Sequence, residues 1–80
     1  MANIAIMGDR DSVLIAKAAG LDVYFETEPE SASRTIHRLA REGVRVLFVT
    51  EPLYDKCKEA VSKYKSEAYP AIIPIPDSHG

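Results

Sequence analysis

IAIMGDRDSV, residues Ile4 to Val13, decides how the chain is read. A short apolar strand leads straight into Gly8 and a loop of alternating charge. Asp11 or Ser12 then offers a side-chain oxygen to the first unpaired amides of a helix. A strand that turns into a capped helix is the elementary unit of α/β folds, and its turn is where such folds place ligands. The GDRD turn is thus either a catalytic or phosphate site, or a surface on which something docks.

Outward from this junction the chain reads strand, helix, strand, helix, strand, helix, strand. The first strand covers about residues 3–7, and a helix over 12–19 stops at Gly20. A second strand spans about 22–25. Pro29 suits the first turn of a second helix, and Glu30 adds favourable charge beside its N-terminus. Ala32, Ile36, Leu39 and Ala40 recur at helical spacing before Gly43 ends this helix. VRVLFVT, residues 44–50, is the near-continuous apolar run of a central parallel strand. Pro52 opens a third helix with Leu53, Cys57, Ala60, Val61 and Tyr64 as its apolar stripe. On its polar side Glu59 and Lys63 stand four apart in the favourable order. Ala71 to Ile73 form a fourth strand, which Pro74 and Pro76 cut short and confine to a sheet edge.

This alternation predicts an α/β fold: a four-stranded parallel doubly wound sheet of order 2-1-3-4 with three helices, residues 1–80 forming one domain. Right-handed crossovers put the second and third helices on one face and leave the first alone on the other. The first helix carries Val13, Leu14, Ile15, Ala16, Ala18 and Ala19, with Lys17 its only charge. A helix apolar on every side is buried on every side. One short helix cannot cover four strands, so a partner or a C-terminal segment beyond residue 80 is expected on that face.

Composition narrows the function. Ten basic residues against twelve acidic ones, a net charge of −2, leave no basic stripe to displace counterions from nucleic acid. One cysteine allows no internal disulfide and fits a reducing compartment. No apolar run is long enough to cross a bilayer, and MANIAIMGD has neither a basic leader nor a long apolar core. A soluble cytoplasmic protein with no direct membrane insertion is expected.

The chemical readings of GDRD then fail one by one. A phosphate loop needs repeated glycines, whereas only Gly8 is present and Asp9 and Asp11 would repel the anion. A phospho-receiver needs an acceptor aspartate after the third strand, where this chain has Thr50 and Glu51, and a lysine on a fifth strand. Two carboxylates on one loop are too few oxygens for a hard cation. Cys57 lies on an apolar stripe without a histidine to activate it and reads as a buried structural thiol. His37 stands among Arg34, Arg38 and Arg41 on a solvated face and His79 in the tail, so neither has a second metal ligand. Together with Arg45 these arginines read as a solvated face beside Glu30 and Glu42. Catalytic, cofactor and metal sites are all expected to be absent, leaving a binding module.

IAIMGDRDSV, the strand-turn LFVTE (residues 47–51) and PAIIPIPDSHG (residues 70–80), in that order and spacing, resemble the F subunit of the V-type/A-type rotary ATPases. The likeness covers essentially the whole chain. It implies a Rossmann-like, response-regulator-like member of the central stalk without catalytic residues. Such a protein binds the coiled-coil D subunit of the stalk, neighbours other central-stalk subunits and the catalytic head, and couples ATP hydrolysis or synthesis to proton or sodium transport. Family members continue past the PIP segment into a C-terminal helix, which is expected to be absent from residues 1–80. An all-apolar first helix, a charged turn and a proline-blunted edge strand suit a helical partner. The interface residues expected are Arg10, Asp11, Val13, Leu14, Ile15, Ile73 and Ile75. The alternative is a degenerate receiver-like or small-ligand-binding flavodoxin-like domain.

Overall fold

The computed structural model describes residues 3–77. Its elements are β1 (Ile4–Gly8), α1 (Arg10–Ala18), β2 (Asp22–Phe25), α2 (Pro29–Arg41), β3 (Val46–Thr50), α3 (Glu51–Lys56), α4 (Lys58–Tyr64) and β4 (Ala71–Ile75). The four strands form one parallel sheet in the expected order β2-β1-β3-β4. Gly20 and Gly43 end α1 and α2 with φ near +90°, the left-handed turn that glycine adopts without cost.

Alternate residues of each strand feed two unequal cores. Ala5 and Met7 of β1 and Leu47 and Val49 of β3 face α2, α3 and α4, where they pack with Ile36, Leu39, Leu53, Cys57 and Val61. Ile6 of β1 faces the other way and packs with Val13 and Ala16 of α1. Among the described residues only α1 lies on this second face, and it rests over β1 and β2. The halves of the sheet are therefore covered very differently.

Several local expectations are corrected. The cap of α1 is Asp9, whose carboxylate accepts from the Ser12 N–H at 3.1 Å, rather than Asp11 or Ser12. Asp9 leaves the strand in an extended conformation (φ −68°, ψ 155°), so the helix begins two residues early and Ser12 becomes the amide that is capped. The third helix is two segments divided at Cys57, which gives four helices among the described residues in place of three. No proline or glycine marks this break. α3 packs on β3 while α4 packs on α2 and β4, and the bend lets Leu53, Cys57, Ala60 and Val61 all stay buried. Finally, β4 runs through Pro74 to Ile75, pairing Val49 with Pro74 and Thr50 with Ile75. At an edge, alternate N–H groups point away from the neighbouring strand, so a proline there costs no ladder bond.

Candidate functional site

Around GDRD, where an α/β fold of this kind would place its chemistry, the polar groups at the strand ends are tied into the fold. Asp9 caps α1. Glu26, just past β2, accepts hydrogen bonds from Ser31 Oγ at 2.6 Å and Thr35 Oγ1 at 2.8 Å, pinning the start of α2 to the sheet. Thr50 is buried against Gly8. Asp9, Glu26 and Thr50 line a cavity of about 220 Å³ with Thr27, Pro52, Leu53, Lys56 and Asp77. Among the described residues no three His, Cys, Asp or Glu side chains converge as a metal site would need. Replacing Glu26 by alanine strips two hydroxyls of their acceptor, one of them on buried Thr35. A loss of about 1.5 kcal/mol in urea unfolding is expected, the range for a charged acceptor.

Cys57 is 2% exposed and its Sγ lies 3.7 Å from the Pro29 carbonyl, which accepts the thiol hydrogen. Burial pushes the thiol above its ordinary pKa, opposed in part by a hydrogen bond from Ser33. Raising the pKa suppresses the nucleophilic thiolate, so the group serves packing. His37 departs from the expected solvated position. It is half-buried, and its Nδ1 lies 2.8 Å from the Tyr64 hydroxyl, joining α2 to α4.

Exposed apolar side chains gather on the face carrying α1. Strand register sets apolar residues there in rows: Ile4 beside Val46 beside Ala71, and Ile6 beside Phe48 beside Ile73. Rows on adjacent strands lie about 4.8 Å apart, so these side chains form one continuous surface. α1 covers Ile6 but leaves Phe48 half-exposed and Ile4 and Ile73 each 40% exposed. The helix adds Leu14 at 44% and Ile15 at 83%, and Phe25 at the end of β2 adds another 44%. Clusters of large apolar side chains left in water mark interaction surfaces, whereas single ones do not.

The seven expected interface residues distribute unevenly. Leu14, Ile15 and Ile73 are exposed on this face. Arg10 and Asp11 are exposed at the start of α1, with the Arg10 guanidinium 5.2 Å from the centroid of the Phe25 ring. Ile75 is half-buried against the cluster of Ile6, Val13 and Ala16. Val13 is the correction: it is fully buried beneath α1 and presents no surface. Among the described residues nothing wraps the outer side of α1, where Leu14 and Ile15 stay exposed. Ile4, Phe25, Val46 and Phe48, which the sequence reading did not single out, also leave apolar surface on this face. An unbroken apolar run does not show which alternate residues lie under a helix, and only the strand order supplies that.

Among the described residues no helix is long and apolar enough to cross a membrane. Comparison with known proteins places the fold in context. The model of the family described as ATP synthase (F/14-kDa) subunit matches residues 4–80. The F subunit of the V-type ATP synthase of Fusobacterium nucleatum is 42% identical over 80 residues, covering 100% of this chain and 76% of the relative. Its namesake in Clostridium perfringens is 43% identical over 77 residues, covering 96% and 73%. The F subunit of the A-type ATP synthase of Methanothermobacter thermautotrophicus is 39% identical over 80 residues, covering 98% and 76%. An α/β sheet with one bare apolar face, matched over nearly its whole length, thus belongs to the family of ATP synthase (F/14-kDa) subunits, the F subunits of V-type and A-type ATP synthases.

Proposed function

We propose that this chain is a non-catalytic member of the central stalk that binds the coiled-coil D subunit through the face carrying α1. In that position it turns with the rotor and helps couple ATP hydrolysis or synthesis to proton or sodium transport. It works on the cytoplasmic side, peripheral to the membrane. The observation that carries this reading is the thinly covered half of the sheet: half-exposed Phe48 and exposed Ile73 lie beside the exposed Leu14 and Ile15 of α1. A strip of aliphatic and aromatic side chains between a helix and an edge strand fits the apolar stripe of a helix laid across it. Arg10 and Asp11 at one end add polar contacts of the kind that ring such interfaces.

Calorimetric titration of the chain with the D subunit tests this. Ile15→Glu combined with Ile73→Glu alters two exposed residues, so the circular dichroism spectrum is expected to stay as it is. Binding is expected to weaken about 100-fold, since each central contact contributes on the order of 2 kcal/mol or less and the charges must be desolvated. Unaltered affinity in the double variant would refute this docking face. Labelling of Asp9 or Glu51 by acetyl phosphate would favour the receiver-like alternative.

A further inference from the structure

The basic residues of α2 and its flank divide sharply once the fold is known. Arg38 forms an ion pair with Glu42 at 3.8 Å and lies 5.7 Å from the centroid of the Tyr24 ring. Arg45 lies 5.0 Å from the centroid of Tyr69. Arg34 and Arg41 make no ion pair among the described residues, and both are exposed. With His37 they form one wall of a cleft of about 490 Å³, whose other wall is Lys63 and Tyr64 of α4. Among the described residues Lys63 makes no ion pair with Glu59; its Nζ sits 5.8 Å from the centroid of the Tyr64 ring. The hydrogen bond between His37 and the Tyr64 hydroxyl holds the two walls together. No described carboxylate lines this cleft, although the chain as a whole is acidic.

We propose that this cleft receives carboxylates from a helix of a second partner protein, on the side of the sheet opposite α1. The proposal rests on the reading that the chain works inside a rotary assembly. Three observations select an acidic helix. The lining residues lie along two helices, where backbone N–H groups are already bonded, so there is no amide cradle for a phosphate. Arg34 and Arg41 stand seven residues apart on α2, about 10.5 Å along the axis, which is the spacing of two acidic residues on one face of a facing helix. Guanidinium groups also pair with carboxylates in a two-pronged geometry. The chain would then contact apolar surface with one face and acidic surface with the other, as a piece wedged between two neighbours does.

Zero-length cross-linking of the assembled complex by a water-soluble carbodiimide tests this, because the reagent joins an amine to a carboxylate it touches. The expected product is an amide between Lys63 Nζ and an Asp or Glu in a helix of a neighbouring protein. Its yield is expected to fall at least tenfold in the Arg34→Glu/Arg41→Glu variant, and Lys63→Arg is expected to abolish it while the complex still assembles. Lys63 links confined to carboxylates of its own chain would overturn the proposal. So would a yield unchanged by the double charge reversal, or a link displaced by inorganic tripolyphosphate with no loss in the double variant. A purified complex that lacks the chain altogether refutes the stalk reading, whereas one that holds the chain without the Lys63 link refutes the acidic-helix proposal alone.

Discussion

Leu47→Ala is expected to lower the stability of the isolated chain by about 3 kcal/mol, and Phe48→Ala, one residue along the same strand, by about half as much. Leu47 is fully buried in the larger core, between β1, β4 and the helices α2, α3 and α4. Truncating a leucine in such a site removes its transfer energy and leaves a cavity, with measured costs of about 2–5 kcal/mol. Phe48 points to the opposite face, where its ring is packed on one side and wet on the other. In a domain of this size about 3 kcal/mol lowers the melting temperature by roughly 12–24 °C, an effect easily separated from the smaller one. Thermal and urea unfolding followed by circular dichroism measure both. Equal losses at the two positions would mean that the two faces are equally covered, which contradicts the asymmetry on which the docking surface depends.

The alternation of strands and helices was legible because every element carries a local signal. Gly20 and Gly43 stop helices, Pro29 starts one, and the run over residues 44–50 has no polar break before Thr50 apart from Arg45. Strand order was expected as the commonest one for such an alternation, and crossover handedness then gave the solitary position of α1. Features that depend on distant neighbours were not legible. The bend at Cys57 arises from α3 and α4 packing on different elements, and nothing in CKEAV announces it. Val13 and Ile15 look alike as apolar residues of one short helix, yet one is fully buried and the other 83% exposed. The arginine series looked like a single solvated face because Lys63 and Tyr64, which turn part of it into a cleft, come from another helix. In each case the missing information is long-range packing, which local propensity does not encode.

Gly8→Val is expected to destabilise the chain by about 3 kcal/mol, with Gly8→Ala costing about 2 kcal/mol. Gly8 is buried at the end of β1, and its carbonyl accepts from the Glu26 N–H at 2.9 Å, so the backbone there has little freedom to move. A Cβ at this position would lie 2.6 Å from Thr50 Oγ1 and 3.0 Å from Thr50 Cβ, with Thr50 Cγ2 closer still. Thr50 is 2% exposed, ends β3 and leads directly into α3, so it cannot retreat without displacing that helix. Gly8→Ala combined with Thr50→Ala removes both offending γ atoms. The double variant is expected to recover about 1 kcal/mol relative to the sum of the single losses, as urea unfolding of all four proteins would show in a double-mutant cycle. Strict additivity would mean that the glycine is required for some reason other than this contact. If the cycle couples as expected, the glycine of GDRD is there because two parallel strands meet too closely for a side chain. Its physical role is then to let β1 and β3 end side by side, so that Asp9 can launch α1 onto the sheet face that carries Phe48 and Ile73.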